Sequence, residues 1–546
     1  MANTRDETIR QTTQAYLQTI DPDNLPDSDE ITGEILDQCE QAIFQINATR
    51  QTKWKVLHNL IPSQIADIIL HCHKVVLIDY AGGETGKDMS VLGIYQDVGE
   101  NEGVYVTDEN VLRSFFRKYD YSITKREEDE VIHILRLMAP RRTRCEDVDL
   151  IPVNNGIFNY KTKILEPFDP EHIFTAKSRV DYNPIATNVV IHNSDDNTDW
   201  DVESWMNELS DDPAVVKLLW QILGAIIRPN VAWDKSAWFY SEAGNNGKGT
   251  LCELMRQLCG KGTSVSIPLS DMGKDFMLEP LIHASAIIVD ENDVGTFIDK
   301  AANLKALVTH DVIQVNRKFK TPVAFRFKGF MVQCLNEMPR VKDKSDSFFR
   351  RQLFIPFTKC FTGKERKYIK HDYLHRKEVL EYVLYRVLHM DYYELDVPAI
   401  CMQALAEYRE FNDPIRQFAG EILPQLRWDL VPFRFLYDLY VSWYQRNFPD
   451  TRYSYNSRSF KKELLNLLPE YPEWENKRNA KNEEKTHSPA GKMDWPEPLI
   501  LEYNLTGWMN PRYRGSTDVD KLCKPPQKAP SYRGLIRVNP ISVKSE

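Results

Sequence analysis

The chain has 546 residues, of which 42% are hydrophobic, and a formal net charge of -10. This length accommodates three or four domains, and the composition is that of a soluble globular protein. The longest apolar stretch, residues 218–227, is too short to span a bilayer, and the first forty residues carry ten acidic and two basic side chains, so we expect no secretory signal. Nine scattered cysteines without a CxxC pair exclude a zinc ribbon or a disulfide framework, so we expect a cytoplasmic protein with no membrane partner.

Three parts are predicted before the central region. Residues 1–53 form an acidic segment of loosely attached helices, and residues 54–190 form an α/β accessory domain. The polar run 192–199 is typical of a linker. Asp147 and Asp149 make a DxD pair, which binds metals in primase-polymerases, but no second acidic motif accompanies it. We therefore favour a loop before the next strand, with any priming supplied by a separate primase or polymerase.

Residues 240–250 have the features of a phosphate-binding loop. They follow an apolar, strand-like run and open a helix whose apolar residues share one face and which Gly260 is placed to end. Glycines let backbone N–H groups close around phosphate oxygens, and the helix N-terminus adds a favourable dipole. The predicted ATP-binding residues are Gly244, Asn245, Asn246, Gly247, Lys248, Gly249 and Thr250. We expect a nucleoside triphosphatase in which Lys248 meets the β and γ phosphates.

The loop departs from the general GxxxxGK[ST] pattern at two positions. Glu242 stands where the first glycine belongs, and Gly249 stands where the metal-binding hydroxyl belongs. Thr250 is the one hydroxyl close enough along the chain to replace it, so Thr250 is a predicted Mg²⁺ ligand.

We predict a parallel-sheet core over residues 200–358. Within it, two apolar strands after the loop are each followed directly by polar residues. Asp290 and Glu291 follow the first strand, and Asn336 follows the second. We predict that Asp290 holds Mg²⁺, that Glu291 polarises the attacking water, and that Asn336 orients that water or senses the γ-phosphate. The alternative, a buried strand that happens to end in an acidic turn, is common in isolation but loses weight beside the loop.

The three motifs lie close together along the sequence, since Lys248 and Asn336 are 88 residues apart. Together with Phe348-Phe349-Arg350-Arg351 they resemble the superfamily 3 helicases, and within that group the phage, plasmid and poxvirus-type helicase-primase family. That family's loop commonly reads NGK, then a small residue, then Thr, as residues 246–250 do here. The segment at 150–159 and the Asn412-Asp413-Pro414 junction extend the resemblance over residues 130–470.

The resemblance implies an AAA+ type ATPase core, a homo-oligomeric ring, which in this family is a hexamer, and 3′ to 5′ unwinding. It also implies that Arg350 and Arg351 reach the neighbouring subunit's site as arginine fingers, and the alternative for them is a surface salt bridge. A basic turn would grip single-stranded DNA in the ring by phosphate attraction and stacking. Its predicted residues are Arg317, Lys318, Phe319 and Lys320.

After the core we predict a helical lid or collar over 359–425 and a winged-helix-like domain and tail over 426–546. Two helices are readable in the latter, from Leu436, Tyr440 and Trp443 and from Phe460, Leu464 and Leu468. Ser457 is the predicted N-cap of the second helix, and residues 476–498 are predicted to be a long loop. The predicted duplex DNA contacts are Arg458, Lys461 and Lys462. A solvated basic face is the alternative for them, although the chain from 451 onward carries 17 Lys and Arg against 12 Asp and Glu.

Three functions are compatible with these motifs. A ring ATPase that unwinds DNA during replication predicts ATPase activity lost in Lys248→Ala and strand separation lost in Lys318→Ala. An origin-binding initiator or loader with an ATP switch predicts tight duplex binding without processive unwinding. A small-molecule kinase ranks last, because it leaves the basic turn and the last domain without a role.

Overall fold

The computed structural model describes residues 4–81, 90–260, 262–318, 320–448, 455–479, 481–515, 518–524 and 529–539, with only the backbone at 320 and 321. The chain forms two compact units, Met1–Leu405 and Ala406–Glu546. Within the described part of the chain, no helix combines the length and apolar character needed to cross a membrane.

Five helices and four strands open the first unit. In chain order they are α1 (Arg5–Leu17), α2 (Ser28–Asn47), α3 (Pro62–Cys72), β1 (Val75–Asp79), β2 (Val91–Tyr95), β3 (Tyr105–Val106), α4 (Glu109–Tyr119), α5 (Lys125–Met138) and β4 (Arg141–Thr143). The strands form one mixed sheet in the order β3-β2-β1-β4, in which only the β1 and β4 pair is parallel. This is the α/β character expected for the accessory region.

The acidic N-terminal segment is part of a core and is not loosely attached, which corrects the expectation from sequence. Thr4 and Glu7 form a capping box at the start of α1, so each side chain satisfies a backbone N–H of the other. Ile9 of α1 and Ile35 of α2 are buried in one hydrophobic cluster with Leu77 of the sheet. The acidic residues occupy the outer faces of the helices, and the apolar residues bind them to the accessory sheet.

Two small antiparallel sheets follow. The first contains β5 (Leu150–Val153), β6 (Gly156–Asn159) and β7 (Ile164–Glu166), and the second is a hairpin of β8 (Ile191–Asn193) and β9 (Thr198–Trp200). The polar run predicted to be a linker is therefore mostly hairpin, and Trp200 at its end is buried. Asp147 and Asp149 lie in the loop before β5, as predicted. The Asp149 carboxylate accepts a hydrogen bond from the Tyr393 hydroxyl at 2.5 Å.

The central region and the helices after it complete the first unit. The helices are α6 (Val202–Glu208), α7 (Pro213–Ile227), α8 (Lys248–Cys259), α9 (Ala302–Val308), α10 (Asp346–Phe349), α11 (Lys367–His371), α12 (Lys377–Leu388) and α13 (Ala399–Phe411), the last of which runs past the unit boundary. The strands are β10 (Ser236–Tyr240), β11 (Ser264–Val265), β12 (Ala286–Val289), β13 (Phe297–Ile298), β14 (Val312–Arg317), β15 (Lys320–Arg326), β16 (Phe330–Leu335), β17 (Arg340–Val341) and β18 (Gln352–Pro356).

Five of these strands form a wholly parallel sheet in the order β11-β12-β16-β10-β18. Strands β10, β12 and β16 are apolar along almost their whole length, as a parallel sheet covered by helices on both faces requires. Because the strands are parallel, the segments that follow β10, β12 and β16 all emerge at one edge of the sheet. Strand β16 lies between β12 and β10, an order that the sequence does not reveal.

The second unit has its own core around Phe418, Trp428, Tyr440 and Phe460. Its elements are α14 (Pro414–Ile422), β19 (Leu430–Pro432), α15 (Phe433–Asn447), α16 (Ser457–Leu467), β20 (Trp474–Glu475), α17 (Leu499–Glu502), α18 (Val519–Leu522) and β21 (Gly534–Arg537). The strands pair antiparallel in the order β19-β21-β20. Both helices predicted for this region are present, as α15 and α16.

The predicted cap of α16 is wrong by one residue. Asn456 is the N-cap, because its side chain accepts a hydrogen bond from the Ser459 N–H, and Ser457 is the first helical residue. Both residue types cap helices well, so sequence preference did not separate them. The predicted long loop is also partly ordered as β structure, since Arg478 pairs with Glu484.

Candidate nucleotide site

The loop between β10 and α8 adopts a conformation that depends on glycine at position 247. Gly247 is the N-cap of α8 and has φ 87° and ψ -8°, in the left-handed region. A Cβ at this position would lie 2.6 Å from Cδ2 of Leu209. The left-handed residue turns the chain sharply into α8, and the N–H of Lys248, the first residue of the helix, donates to Oδ1 of Asn246 at 3.3 Å.

We expect Gly247→Ala to abolish nucleotide binding, because an added methyl group meets both an unfavourable φ and the Leu209 side chain. Titration with a fluorescent ATP analogue measures the loss. Gly33→Ala is the matched control, because Gly33 lies outside the loop and a Cβ on it meets no atom within 4 Å. Equal loss of affinity in both variants would contradict a specific role for the conformation at Gly247.

Lys248 is buried, and its ammonium group is enclosed by oxygen acceptors. Nζ donates to the carbonyl oxygens of Ser241 at 3.3 Å and Leu335 at 3.1 Å, and to Oδ1 of Asn336 at 3.0 Å. Burial lowers the pKa of Lys248 below its usual range, although the nearby Cys334, Cys252 and Glu291 groups oppose the shift. The structure thus brings Lys248 and Asn336 into direct contact at the edge of the sheet.

Asn292 and Gln333 form a buried amide pair beside this edge. Asn292 follows the two strand-end carboxylates, and its Nδ2 donates to Oε1 of Gln333 and to the Cys334 carbonyl, both at 3.0 Å. Its Oδ1 accepts from the Leu269 N–H at 2.9 Å. These bonds fix the turn after β12 against β16, and so fix the backbone that carries Asp290 and Glu291. Sequence reasoning missed Asn292, because an amide after an acidic pair carries no motif.

Asp290 and Glu291 are exposed at the end of β12. Oδ1 of Asp290 accepts a hydrogen bond from Nη2 of Arg256 on α8 at 2.7 Å, which ties the strand end to the helix that follows the loop. Thr250 is half-buried in the first turn of the same helix. The hydroxyl of Thr250 and the carboxylate of Asp290 are the oxygen donors that Mg²⁺ prefers.

These two residues fit Mg²⁺ only with phosphate oxygens and water completing the shell. In the described ranges no group of three or more His, Cys, Asp or Glu side chains is placed to hold a metal ion. Sites of this kind, with one or two protein ligands plus substrate phosphates, are usual for Mg²⁺.

A cavity of about 170 Å³ lies beside the loop. Its lining is Trp205, Glu208, Asn245, Gly247, Thr250, Phe361, Lys364, Glu365, Arg366, Lys367, Ile369, Lys370 and His371. Asn245 joins the loop to the far wall, because its carbonyl accepts from the Phe361 N–H at 2.7 Å and its Nδ2 donates to Oε1 of Glu365 at 3.2 Å. The cavity therefore combines aromatic and aliphatic surface with the end of the loop, and its lining comes from segments more than a hundred residues apart.

Lys370 brings a cation to the loop that the sequence did not single out. Its Nζ lies 3.8 Å from the position that a Cβ on Gly249 would occupy, in the first turn of α8. Lys370 belongs to α11, a helix too short to be recognised by periodicity, so only the fold reveals its position.

Arg350 and Arg351 lie at the opposite edge of the sheet from Lys248. They immediately precede β18, whereas the loop follows β10, and these two neighbouring strands are parallel. Arg350 is exposed, while Nη1 of Arg351 donates to the Ser347 carbonyl within the same segment. The structure therefore does not bring either arginine to the candidate nucleotide site of its own chain.

The predicted basic turn joins β14 and β15, an antiparallel hairpin. Nε of Arg317 lies 3.7 Å from Oε1 of Glu279, and the Arg317 side chain is 13% exposed, so Arg317 is mostly covered. Lys318 is exposed. Phe319 and the side chain of Lys320 lie outside the described residues.

In the second unit, the three predicted DNA contacts of α16 differ in their surroundings. Arg458 and Lys462 are exposed. Lys461 is engaged within the fold, since its Nζ donates to Oε2 of Glu484 at 2.5 Å and lies 4.5 Å from the ring centroid of Phe433.

Three stretches of the chain match known protein families. Residues 39–211 match the family described as D5 N terminal like, residues 410–494 match the Poxvirus D5 protein-like family, and residues 239–351 match a family of unknown function (DUF5906). A putative helicase of Acanthamoeba polyphaga mimivirus is 23% identical over 239 residues, which are 42% of this chain. The chain spans 23% of the length of that relative.

Two solved structures are also similar. The apo C-terminal region of NrS-1 is 14% identical with a TM-score of 0.40, over 75% of this chain and 86% of that chain. A JCV helicase bound to a small molecule is 17% identical with a TM-score of 0.25, over 44% of this chain and 62% of that chain.

Proposed function

Because the chain belongs to the poxvirus D5-type family of superfamily 3 helicases, we propose that it is an ATP-driven DNA helicase. In this proposal the protein forms a ring and unwinds DNA during replication of a phage, plasmid or other mobile element. The observation that carries the proposal is the 3.0 Å contact between Lys248 and Asn336 at the edge of the parallel sheet. It joins the phosphate-binding loop to the end of a second strand, beside the carboxylates that end β12.

Hydrolysis in this site rests on complementary roles for the side chains at the sheet edge. Lys248 neutralises the β and γ phosphates, with Lys370 adding positive charge from the same chain. Glu291 accepts a hydrogen bond from the attacking water and orients it toward the γ-phosphate. Asn336 bonds Lys248 through its oxygen, so its N–H groups are left to meet the γ-phosphate.

The metal ion on the phosphates and the nucleoside also have residues that suit them. Thr250 and Asp290 would hold Mg²⁺, which, when bound, supplies positive charge to the phosphate oxygens. The cavity beside the loop, with Trp205 and Phe361 in its lining, suits the nucleoside, since flat aromatic bases stack on such surfaces.

The position of Arg350 supports a head-to-tail assembly. An exposed arginine at the sheet edge opposite its own nucleotide site can stabilise a transition state only in another chain. Repeating such a heterologous contact closes into a ring when the rotation permits, and we propose a hexamer. Arg351 is already bonded to Ser347, which favours Arg350 as the finger.

The hairpin of β14 and β15 supports a single-stranded DNA path inside the ring. In the proposal Lys318, Phe319 and Lys320 contact the strand, and Arg317 braces the turn through Glu279. Translocation from 3′ to 5′ is the direction we propose by analogy with the family.

A strand-separation assay on forked DNA tests the proposal. We expect wild type to unwind the fork with ATP, and Glu291→Gln to lose unwinding while retaining ATP binding, because the substitution removes the water-orienting charge but not the phosphate contacts. Glu337→Gln is the matched control, since Glu337 is exposed just after Asn336 and accepts a hydrogen bond from the Gly295 N–H at 3.0 Å. Unchanged unwinding by Glu291→Gln would contradict the proposed role.

An ATP-switched initiator or loader is the second candidate. Exposed Arg458 and Lys462 on α16 favour it, because a helix with such a face suits duplex DNA. If wild type binds duplex DNA tightly and hydrolyses ATP but separates no fork of either polarity, the loader replaces the helicase.

A further inference from the structure

The accessory sheet brings Tyr80 and Arg144 to one edge. Tyr80 directly follows β1 and Arg144 directly follows β4, and these two strands are parallel neighbours in which Asp79 is paired with Thr143. Residues that follow parallel strands emerge at the same edge of a sheet. An ion pair stiffens this edge, since Nη2 of Arg141 lies 2.8 Å from Oδ2 of Asp79, whose side chain is buried. Tyr80 and Arg144 are therefore held side by side.

Tyr80 and Arg144 both contact β15, the second strand of the hairpin that carries the basic turn. The Arg326 N–H donates to the Tyr80 carbonyl at 3.1 Å, and the Arg326 carbonyl accepts from Nη2 of Arg144 at 2.5 Å. The rings of Tyr80 and Phe325 are buried, with their centroids 5.5 Å apart. The guanidinium carbon of Arg144 lies 4.5 Å from the Tyr80 centroid and 5.6 Å from the Phe325 centroid. We call these four residues the clasp.

An ion pair extends the clasp by two residues along each segment. Nζ of Lys328 lies 2.8 Å from Oε1 of Glu146, and the Lys328 side chain is only 11% exposed. The hydrogen bond from Lys328 holds the pKa of Glu146 below its usual range. The base of the hairpin is thus attached to the accessory sheet and the segment after it by apolar, hydrogen-bonding and electrostatic contacts together.

The turn end of the hairpin has more space around it than the base. The register of β14 and β15 shifts between Val315 and Arg317, and irregularities of this kind bend a hairpin. Arg317 lines a cavity of about 280 Å³, and the accessory helices α4 and α5 contribute Arg113 and Arg136 to the same lining. A hairpin that is packed at its base and adjoins open space near its turn takes its direction from the base.

We infer that the accessory sheet positions the basic turn and that Arg144 is the positioning residue. The inference rests on the proposed function, in which Lys318 contacts single-stranded DNA. Arg144 is half-buried, and in this role it acts through β15 and does not touch the DNA. A guanidinium is planar and carries several N–H groups, so it bonds the Arg326 carbonyl while it lies against both rings. Its loss releases the base of β15 and displaces the turn.

The test is binding of a labelled single strand by the full-length protein, measured by fluorescence anisotropy over a range of salt with a non-hydrolysable ATP analogue. We expect Arg144→Ala to bind about tenfold more weakly and to reduce the slope of log K against log salt by about 0.7 or more, because each lost phosphate contact on a single strand contributes about 0.7. Lys318→Ala should also reduce the slope by about 0.7. The double variant should match Arg144→Ala alone, because a displaced turn has no Lys318 contact left to lose.

Arg142→Ala is the matched control, since Arg142 carries the same charge two residues earlier and is exposed. Its affinity and salt slope should equal those of wild type. Glu146→Ala is a second variant, which leaves the clasp itself intact and changes an exposed residue, so it tests the attachment even if Arg144→Ala unfolds. It should weaken binding about threefold by removing the partner of Lys328. Thermal unfolding followed by circular dichroism establishes which variants are folded.

Three results overturn the inference. The first is single-strand binding by folded Arg144→Ala, or by Glu146→Ala, that equals binding by the control. The second is a double variant in which the separate losses add, which shows that Arg144 and Lys318 act independently. The third is a wild type with no affinity for single strands, since the turn then has no strand to meet. Failure of the proposed ATPase is a separate result, because it appears as absent phosphate release and not in binding with a non-hydrolysable analogue.

Discussion

Lys248→Ala should reduce ATP hydrolysis at least about 100-fold, the scale of losing one preorganised charge at a reacting phosphate. It should also weaken nucleotide binding, because the ammonium is the only cation that the loop itself contributes. Steady-state phosphate release and equilibrium titration with a fluorescent ATP analogue measure the two effects. The substitution also removes the hydrogen bonds that Lys248 donates to Asn336 and to the carbonyls of Ser241 and Leu335, although the Leu335 carbonyl still accepts from the Ser241 N–H at 3.1 Å. A cost in folding free energy of about 1–3 kcal/mol accompanies it.

Lys217→Ala is the control for this variant. Lys217 pairs with Asp396 at the surface of the same unit, and its side chain is 61% exposed, so its removal changes charge but not the site. Thermal unfolding followed by circular dichroism establishes that Lys248→Ala remains folded. A folded Lys248→Ala protein with wild-type hydrolysis would remove the loop from the mechanism.

Oligomers that contain two different variants should show whether the positive charge at the reacting phosphate comes from a neighbouring chain or from the same chain. Arg350→Ala should lower hydrolysis by roughly 1,000-fold or more, the range for an arginine finger. Co-expression of Arg350→Ala with Lys248→Ala should recover activity, because a chain with an intact loop can then adjoin a chain with an intact finger. In a randomly mixed ring, about a quarter of the interfaces combine both intact parts. ATPase assays on complexes purified through two different tags measure the recovery.

Lys370→Ala is the contrasting partner in this experiment. Because Lys370 lies against the loop of its own chain, no site in a mixture with Lys248→Ala contains both lysines, and no recovery is expected. Arg351→Ala is the charge-matched control for the finger, since Arg351 is bonded to Ser347. Recovery with Lys370→Ala, or none with Arg350→Ala, would reverse the assignment of the two cations.

The helix and strands that carry the candidate site were predictable from the hydrophobic periodicity of the sequence. The apolar face of α8, its end at Gly260 and the apolar runs of β12 and β16 all have the periodicity of the elements they form. The position of Lys248 and Asn336 at one edge of the sheet was implied, because parallel strands bring their carboxyl ends to the same edge, but their direct contact was not predicted. The strand order was not, since nothing in the local pattern places β16 between β12 and β10.

The parts that tertiary contacts create were not predictable. Lys370 and Phe361 reach the loop only because the segment after β18 folds back over it. The segment in which Arg478 pairs with Glu484 was predicted to be a loop, because the paired stretch is too short and too polar to show the alternation of a strand. The N-terminal helices looked detached because their many acidic residues mask a narrow apolar stripe around Ile9 and Ile35.

Because Lys248 is enclosed, its ammonium group loses its water when the chain folds and not when a ligand binds. A lysine on an open surface must shed water when an anion arrives, and that loss opposes association. Here the ammonium is stripped of water as the polypeptide folds, and three oxygen atoms take the place of the solvent. In the proposed nucleotide site, an incoming phosphate would replace these protein oxygens as the partner of the ammonium, and the attraction would act in a low-dielectric setting that folding has already prepared.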